Sequence, residues 1–218
     1  MSTEYTLVVG TKDWSSWSLR PWLAMRQANI AFKEELVPLR RGTTPEILKF
    51  SPSGRVPALF IEEGGKRTLI WDSLAICETI AERHPDARLW PDDPLVRAQA
   101  RSYSAEMHSG FPDLREQLSM DFARKLPMPP LRETTKAQIA RIQNAWRDAL
   151  ARHGSDGGFL FGRFSIADCM YAPVVSRFVT YGIALDATLQ DYAQRMMALP
   201  AMQEWYKSAK VEVDAGLA

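Results

Sequence analysis

Three serines stand close together near the start of the chain, in the segment Trp14-Ser-Ser-Trp-Ser-Leu-Arg20. They follow a short apolar run that ends at Gly10 and precede a stretch with the apolar spacing of a helix. A hydroxyl at such a junction can cap the helix. It can also bind an anion, because the helix dipole and the free N–H groups favour negative charge there. The segment has neither a glycine-rich loop nor a Cys-x-x-Cys pair, which disfavours phosphate binding and dithiol chemistry.

A second motif, Ser53-Gly-Arg-Val-Pro57, immediately precedes a predicted strand. Proline as the first residue of a strand is compatible with a trans peptide bond. A cis bond is the alternative, since X–Pro is the linkage at which cis costs little. In the cis form the main chain of Val56 would turn outward and could pair with a peptide-like ligand.

Two further motifs lie at predicted helix starts. Asp72 and Ser73 are typical capping residues, but the same helix terminus could hold a ligand carboxylate through Ser73 while Asp72 faces a ligand ammonium. Ser165 and Asp168 have the spacing of a capping box, and we interpret them as structural residues that begin a buried helix.

The elements that must position these motifs alternate over the first 84 residues. Apolar patterns predict strands at 5–9, 32–36, 58–61 and 68–71, and helices at 16–27, 45–50 and 73–83. The opening strand–helix–strand order predicts a parallel pair, and the two glycines between the last two strands predict an antiparallel hairpin.

A proline-rich stretch ends this alternation, and the strand signal nearly vanishes beyond it. Helical patterns follow at 95–109, 114–125, 135–153, 165–183, 187–199 and 202–211. The chain therefore divides into an α/β domain at 1–84, a linker at 85–94 and an all-α domain at 95–218.

Composition narrows the class of protein further. The 218 residues carry 27 Lys and Arg against 26 Asp and Glu, so no overall field attracts nucleic acid or an anionic membrane. The N-terminus lacks the pattern of a signal peptide, and no apolar run approaches the ~18 residues of a membrane span. Cys77 and Cys169 are expected to be buried free thiols of a reducing compartment, and the three histidines show no metal-ligand spacing. These features predict a cytoplasmic protein with no metal.

Taken in their order, the four motifs and the helical half that follows resemble the cytosolic glutathione transferase family, over nearly the whole chain. The resemblance implies a thioredoxin-like N-terminal domain, a cis bond between Val56 and Pro57, and an all-helical C-terminal domain. It also implies a homodimer with glutathione as co-substrate, working in detoxification without a metal.

Ser15 matches the catalytic serine in the Ser-x-x-Ser-x-Arg pattern of the serine-type classes. The resemblance implies that it donates a hydrogen bond to the glutathione thiolate, which attacks an electrophilic carbon. Ser16 and Ser18 are the competing candidates for contact with the thiol.

The remaining carried-over residues would bind the tripeptide. Val56 would pair its main chain with the cysteinyl part, and Asp72 and Ser73 would hold the γ-glutamyl end. Arg41 or Arg40 would meet the glycyl carboxylate. Arg55 stands where Gln or Lys is more usual, so the glutathione contact there is expected to differ.

Within the family, the serine pair is similar to the zeta-like group, which includes maleylacetoacetate isomerase and typically has Ser-Ser-Cys where this chain has Trp17. We therefore expect transfer of glutathione to a small hydrophobic electrophile. The alternatives are a glutathione-dependent cis–trans isomerase and a non-catalytic binding or scaffold protein of this fold. The electrophile is expected to lie between the two domains, against residues 103–111, with Met107 and His108 as candidate walls.

Overall fold

The first half of the chain is built on a mixed four-stranded sheet. The structure, a computed structural model, describes residues 3–40 and 42–217, so Arg41 lies outside the described residues. The strands are β1 (Glu4–Gly10), β2 (Lys33–Val37), β3 (Ala58–Glu63) and β4 (Lys66–Ile70), in the order β2-β1-β3-β4. β1 pairs parallel to β2 and antiparallel to β3, and β3 pairs antiparallel to β4. The predicted parallel pair and hairpin are confirmed.

Two helices complete this half, α1 (Ser16–Gln27) and α2 (Ser73–Arg83), with short 3₁₀ turns at Pro45–Lys49 and Pro85–Ala87. The hairpin turn consists of Gly64 and Gly65, both at positive φ, the conformation that a two-residue turn between twisted strands requires.

Up to residue 217, where the described part of the chain ends, six helices form the second half, as expected. They are α3 (Pro94–Ser109), α4 (Pro112–Gln117), α5 (Glu133–His153), α6 (Ile166–Tyr181), α7 (Ala187–Ala198) and α8 (Pro200–Asp214). α6 is buried almost throughout and packs against α1, so the two halves share one hydrophobic core. The α/β half followed by an all-helical half is confirmed.

The first turn of α6 contains the capping box proposed from the sequence. The Ser165 N–H donates to Asp168 Oδ2 at 2.9 Å, and the same carboxylate accepts the Leu160 N–H and the Tyr192 hydroxyl. Burial raises the pKa of Asp168 to about 6, although these donors oppose the shift.

The helix predicted over 114–125 is wrong beyond Gln117, where α4 ends. The irregular segment that follows obtains its hydrogen bonds from side chains and main chain of α6 and from Asp13 in the loop between β1 and α1. The Asp13 carbonyl accepts the Phe122 N–H at 3.2 Å, and its carboxylate accepts the Ala123 N–H at 2.9 Å. A buried acceptor from a distant part of the chain thus replaces the helical partners, while the apolar residues of the segment still pack into the core.

Among the described residues, none of the helices has the length and apolar character needed to cross a membrane.

Candidate functional site

Ser15 occupies the N-cap position of α1 but makes no capping hydrogen bond with its side chain. Its hydroxyl instead donates to Ser18 Oγ at 2.7 Å, and Ser18 Oγ also accepts the Gly10 N–H at 3.1 Å. The fully buried Ser18 is therefore fixed by the end of β1 and in turn orients Ser15, which retains 5% exposure.

The first of two neighbouring cavities lies beside Ser15 and has a volume of about 680 Å³. We call it the Ser15 cavity; its walls include Ser15, Trp17, Arg40, Arg55 and Val56. Ser16 borders a different cavity, described below. Of the three serines, Ser15 is therefore the one that shares a cavity with Val56.

The peptide bond between Val56 and Pro57 is cis. In the part of the chain that the structure describes, the main-chain N–H and C=O of Val56 make no hydrogen bond. Val56 borders the Ser15 cavity, and an extended peptide bound there can pair with its free main-chain groups. Arg40 reaches the same cavity while its guanidinium pairs with Glu46, and Arg55 is exposed at the rim.

The sequence left two roles open for Asp72 and Ser73, capping of α2 and binding of a ligand, and the surroundings of the two side chains differ. Asp72 caps α2, because its Oδ1 accepts the N–H groups of Leu74 at 3.1 Å and Ala75 at 3.4 Å. The Ser73 hydroxyl is fully buried and has no partner among the described residues. The Trp71–Asp72 bond is also cis.

Neither Asp72 nor Ser73 borders the Ser15 cavity directly. His108, from the last turn of α3, links Asp72 to the Trp17 wall of this cavity. Its Nε2 lies 3.0 Å from Asp72 Oδ2, and its ring packs edge-on against the Trp17 indole with centroids 5.3 Å apart.

A second cavity of about 630 Å³ lies on the other side of Trp14 and Trp17. We call it the arginine cavity, because Arg115, Arg124 and Arg177 line it together with Ser16 and apolar side chains such as Met120. Arg124 is neutralised by Asp121, with its Nε 2.9 Å from Oδ2.

The other two guanidiniums of the arginine cavity lack a carboxylate partner within the described residues. Arg177, 3% exposed, donates to the carbonyls of Leu118 at 2.8 Å and Pro173 at 3.2 Å. Arg115 donates to main-chain carbonyls at the end of α3, including that of His108. Burial, and then the nearby Arg115 charge, lowers the pKa of Arg177 to about 10. Burial also lowers the pKa of Arg115.

A further guanidinium lies behind the shared wall. Arg20 is 1% exposed and stacks on Trp17, its guanidinium carbon 4.2 Å from the ring centroid, while that of Arg115 lies 5.1 Å from the same ring. The Nε and Nη1 atoms of Arg20 have no hydrogen-bond partner in the described structure. Burial and repulsion from Arg115 and Arg177 lower its pKa to about 9. Buried positive charge without carboxylate partners favours an anion in the adjacent cavity.

Both cysteines are buried free thiols, as expected. Burial raises the pKa of Cys77 to about 12 and raises that of Cys169 as well, so neither is suited to act as a thiolate nucleophile. In residues 3–40 and 42–217, no group of three or more His, Cys, Asp or Glu side chains is arranged to hold a metal ion.

The arginine cavity differs from the wall expected over residues 103–111. Met107 is fully buried in the core, and the Tyr103 hydroxyl donates to Asp148 while its ring packs against Phe161. Sequence reasoning missed Arg115 and Arg177. The available signal was Arg177, an isolated positive charge inside the otherwise largely apolar sequence of α6.

Two family models match this chain. The N-terminal domain of glutathione S-transferase matches residues 14–83, and the C-terminal domain of glutathione S-transferase matches residues 129–208. The chain is also similar to maleylacetoacetate isomerase of Pseudomonas aeruginosa, with 29% identity over 174 residues that cover 78% of this chain and 80% of that protein.

Solved structures with the same fold include glutathione transferase Omega 2S from Trametes versicolor, with a TM-score of 0.72 and 21% identity over 99% of both chains. Maleylacetoacetate isomerase from Anaeromyxobacter dehalogenans with bound glutathione has a TM-score of 0.71 and 26% identity, covering 94% of this chain and 95% of that one. Another structure of that isomerase holds dicarboxyethyl glutathione and citrate in its active site, with a TM-score of 0.67 and 26% identity over 94% of this chain and 92% of that one.

Proposed function

This chain belongs to the glutathione S-transferase family, and we propose that it activates the thiol of glutathione for attack on a small electrophile. The observation that carries the proposal is the meeting of the Ser15 hydroxyl and the unpaired main chain of Val56 at one cavity. The hydroxyl suits a thiolate, and the main chain suits the cysteinyl residue that bears it.

Ser15 acts as a hydrogen-bond donor and not as a nucleophile. A free thiol has a pKa of about 8.5, and lowering it by ~2 units requires about 2.7 kcal/mol of preferential stabilisation of the anion. The Ser15 O–H and the positive end of the α1 dipole contribute to this. The thiol proton leaves to solvent. The thiolate sulfur then bonds to the electrophilic carbon, and the bond from that carbon to its leaving group breaks, so that the leaving group departs as an anion, chloride in the case of chlorodinitrobenzene.

Ser18 supports this step from behind. Hydroxyl protons rotate freely, so the Ser18 O–H can donate to Ser15 Oγ when the Ser15 O–H turns toward the thiolate. The Gly10 N–H keeps Ser18 Oγ in place during this exchange. A chain of hydroxyls polarises its members, which strengthens the last hydrogen bond to the anion.

Glutathione would lie across the α/β half, within residues 1–84. The buried Ser73 hydroxyl and the start of α2 suit the γ-glutamyl carboxylate, and Asp72 suits the ammonium. Arg40, Arg41 and Arg55 are the candidates for the glycyl carboxylate; Arg40 and Arg55 border the Ser15 cavity. Beyond a linker at 85–94, the helical half at 95–218 would supply most of the electrophile site.

The arginine cavity favours a second candidate function, the isomerisation of an unsaturated carboxylate. The charges of Arg115 and Arg177 suit a carboxylate-bearing substrate, and the isomerase from A. dehalogenans holds dicarboxyethyl glutathione and citrate. In that reaction the thiolate adds to the double bond, the new single bond rotates, and the thiolate is expelled, so glutathione is regenerated. The third candidate is a binding protein of this fold without catalysis.

The chain would work as a cytoplasmic homodimer. The two buried free thiols support a reducing compartment, and the dimer is what the resemblance to the glutathione transferase family implies. Sedimentation equilibrium measures the mass; a species of one chain at micromolar concentration would contradict the dimer.

Three measurements on the unaltered protein separate the candidates. Calorimetry detects glutathione binding, absorbance follows conjugation to the neutral electrophile chlorodinitrobenzene, and turnover of maleylacetone without loss of glutathione reports isomerisation. Conjugation supports the transferase, and isomerisation alone supports the second candidate. Binding without either reaction supports the binding protein, and absence of glutathione binding overturns all three.

A further inference from the structure

We propose that His108 is a positioning residue that holds the Asp72 carboxylate toward the ammonium group of glutathione. This inference rests on the proposed function, in which Asp72 faces that ammonium. The pair crosses between the two halves: His108 lies in the last turn of α3, and Asp72 precedes α2. The two side chains are in direct electrostatic contact, because His108 Nε2 lies 3.0 Å from Asp72 Oδ2.

The Asp72 carboxylate needs a second anchor to present a defined oxygen to a ligand. Its Oδ1 is occupied by the Leu74 and Ala75 N–H groups of the cap. The side chain is 53% exposed, so solvent alone would leave Oδ2 free to tilt. A carboxylate oxygen has two lone pairs, so Oδ2 can accept from His108 and from an ammonium at the same time.

His108 is itself held firmly enough to act as that anchor. Its side chain is 24% exposed, its ring packs edge-on against Trp17, and its carbonyl accepts a hydrogen bond from Arg115 at 3.3 Å. The Nδ1 atom is buried without a partner in the described residues. We therefore place a proton on Nε2, because an N–H on Nδ1 would be buried without a partner, whereas Nε2 lies beside Asp72 Oδ2.

The helical half thereby completes the γ-glutamyl end of the proposed glutathione site. Trp17 borders both cavities, and Arg115 borders the arginine cavity. His108 lies between these residues and Asp72, so the same few contacts join the electrophile side to the ammonium side.

The test uses a ligand pair that differs only at the proposed contact. Glutaryl-cysteinylglycine has hydrogen where glutathione has its ammonium. We expect His108→Ala to weaken glutathione binding about tenfold by calorimetry and to leave binding of the analogue unchanged. His108→Gln retains an N–H donor of similar reach and restores most of the affinity. His153→Ala is the matched control, since His153, at the end of α5, contacts Gln99 and Phe161.

A purely structural role would give a different pattern. In that case His108→Ala would lower affinity for both ligands equally, or would leave both unchanged with a lower melting temperature, and either result overturns the inference. In an Asp72→Asn background, we expect His108→Ala to have no further effect on glutathione binding, while kcat at saturating glutathione stays near that of Asp72→Asn alone. A full tenfold loss in that background also overturns the inference. Absence of glutathione binding by the unaltered chain overturns the proposed function and this inference with it.

Discussion

The Ser15 cavity and the arginine cavity share the walls formed by Trp14 and Trp17 but differ in how they are made polar. In the Ser15 cavity the groups that the proposed thiol chemistry uses are neutral: the Ser15 hydroxyl at the start of α1 and the unpaired main chain of Val56 just before β3. The arginine cavity uses guanidiniums from α4 and α6. The neutral groups of the Ser15 cavity stand at fixed positions and suit a single ligand, glutathione. The unpaired positive charge of the arginine cavity instead favours an electrophile that carries negative charge.

The largest expected effect tests the Ser15 cavity. Ser15→Ala removes the donor to the thiolate, so we expect kcat/KM for conjugation to fall about 100-fold. The pH–rate profile should shift to higher pH because the pKa of the bound thiol rises, while glutathione affinity changes little. Ser16→Ala is the matched control, since Ser16 borders the arginine cavity. Equal losses in the two variants would break the distinction between the cavities.

The next effect tests the charge of the arginine cavity. Arg177→Met should lower kcat/KM about 30-fold for the carboxylate-bearing electrophile chloronitrobenzoate, the typical loss for a hydrogen bond to a charged group. Turnover of neutral chlorodinitrobenzene should change less than about threefold by the same reasoning. Arg124→Met should do little, because Asp121 already neutralises Arg124. Equal loss with both electrophiles would show that Arg177 only supports the fold.

A smaller effect is expected at Ser73, which has a buried hydroxyl without a protein partner. Ser73→Ala should weaken glutathione binding about fivefold and leave the free energy of unfolding nearly unchanged, because no intramolecular hydrogen bond is lost. Calorimetry and urea unfolding measure the two quantities. A clear loss of stability without a change in affinity would assign the hydroxyl to the fold.

A change outside both cavities should affect stability alone. Ser165→Ala removes one half of the capping box and should cost about 1 kcal/mol of unfolding free energy, with no change in kcat or KM. Altered kinetics in this variant would mean that a change at the start of α6 also displaces Arg177 on the same helix.

A second effect on stability alone is a pH dependence. Burial raises the pKa of Asp168 to about 6, from an ordinary value of 3.8. The folded chain therefore holds this proton more tightly than the unfolded chain. The stability gained is complete below about pH 4 and is lost as the pH rises through about 6. Urea unfolding across this range should show the gain in the unaltered chain and not in Asp168→Asn.

The two cavities also differ in how far the sequence predicted them. Ser15, Val56 and Pro57 were identified as candidates because each depends on local features: a helix start or an X–Pro bond before a strand. Arg115 and Arg177 come together only in the tertiary structure, where Arg177 of α6 donates to the carbonyl of Leu118 just after α4. Arg177 had a local signal in the apolar sequence of α6, but nothing local separates Arg115 from the other basic residues of the chain. The same limit explains the error after Gln117, where the acceptor is Asp13, 110 residues before Ala123. His108 was expected as a cavity wall, and its contact with Asp72 arises only when the two halves meet.

The hydrogen bonds of Asp13 limit how the two halves of the molecule can be combined with those of a relative. Its carboxylate, carbonyl and N–H engage Ala123, Phe122 and Glu212 of the helical half. A chimera that joined the α/β half of this chain to the helices of a relative would separate the buried Asp13 carboxylate from Ala123. That carboxylate lies two residues from Ser15. A chimera therefore has to take three segments from the same parent: the loop before α1, the segment after α4 and the end of α8.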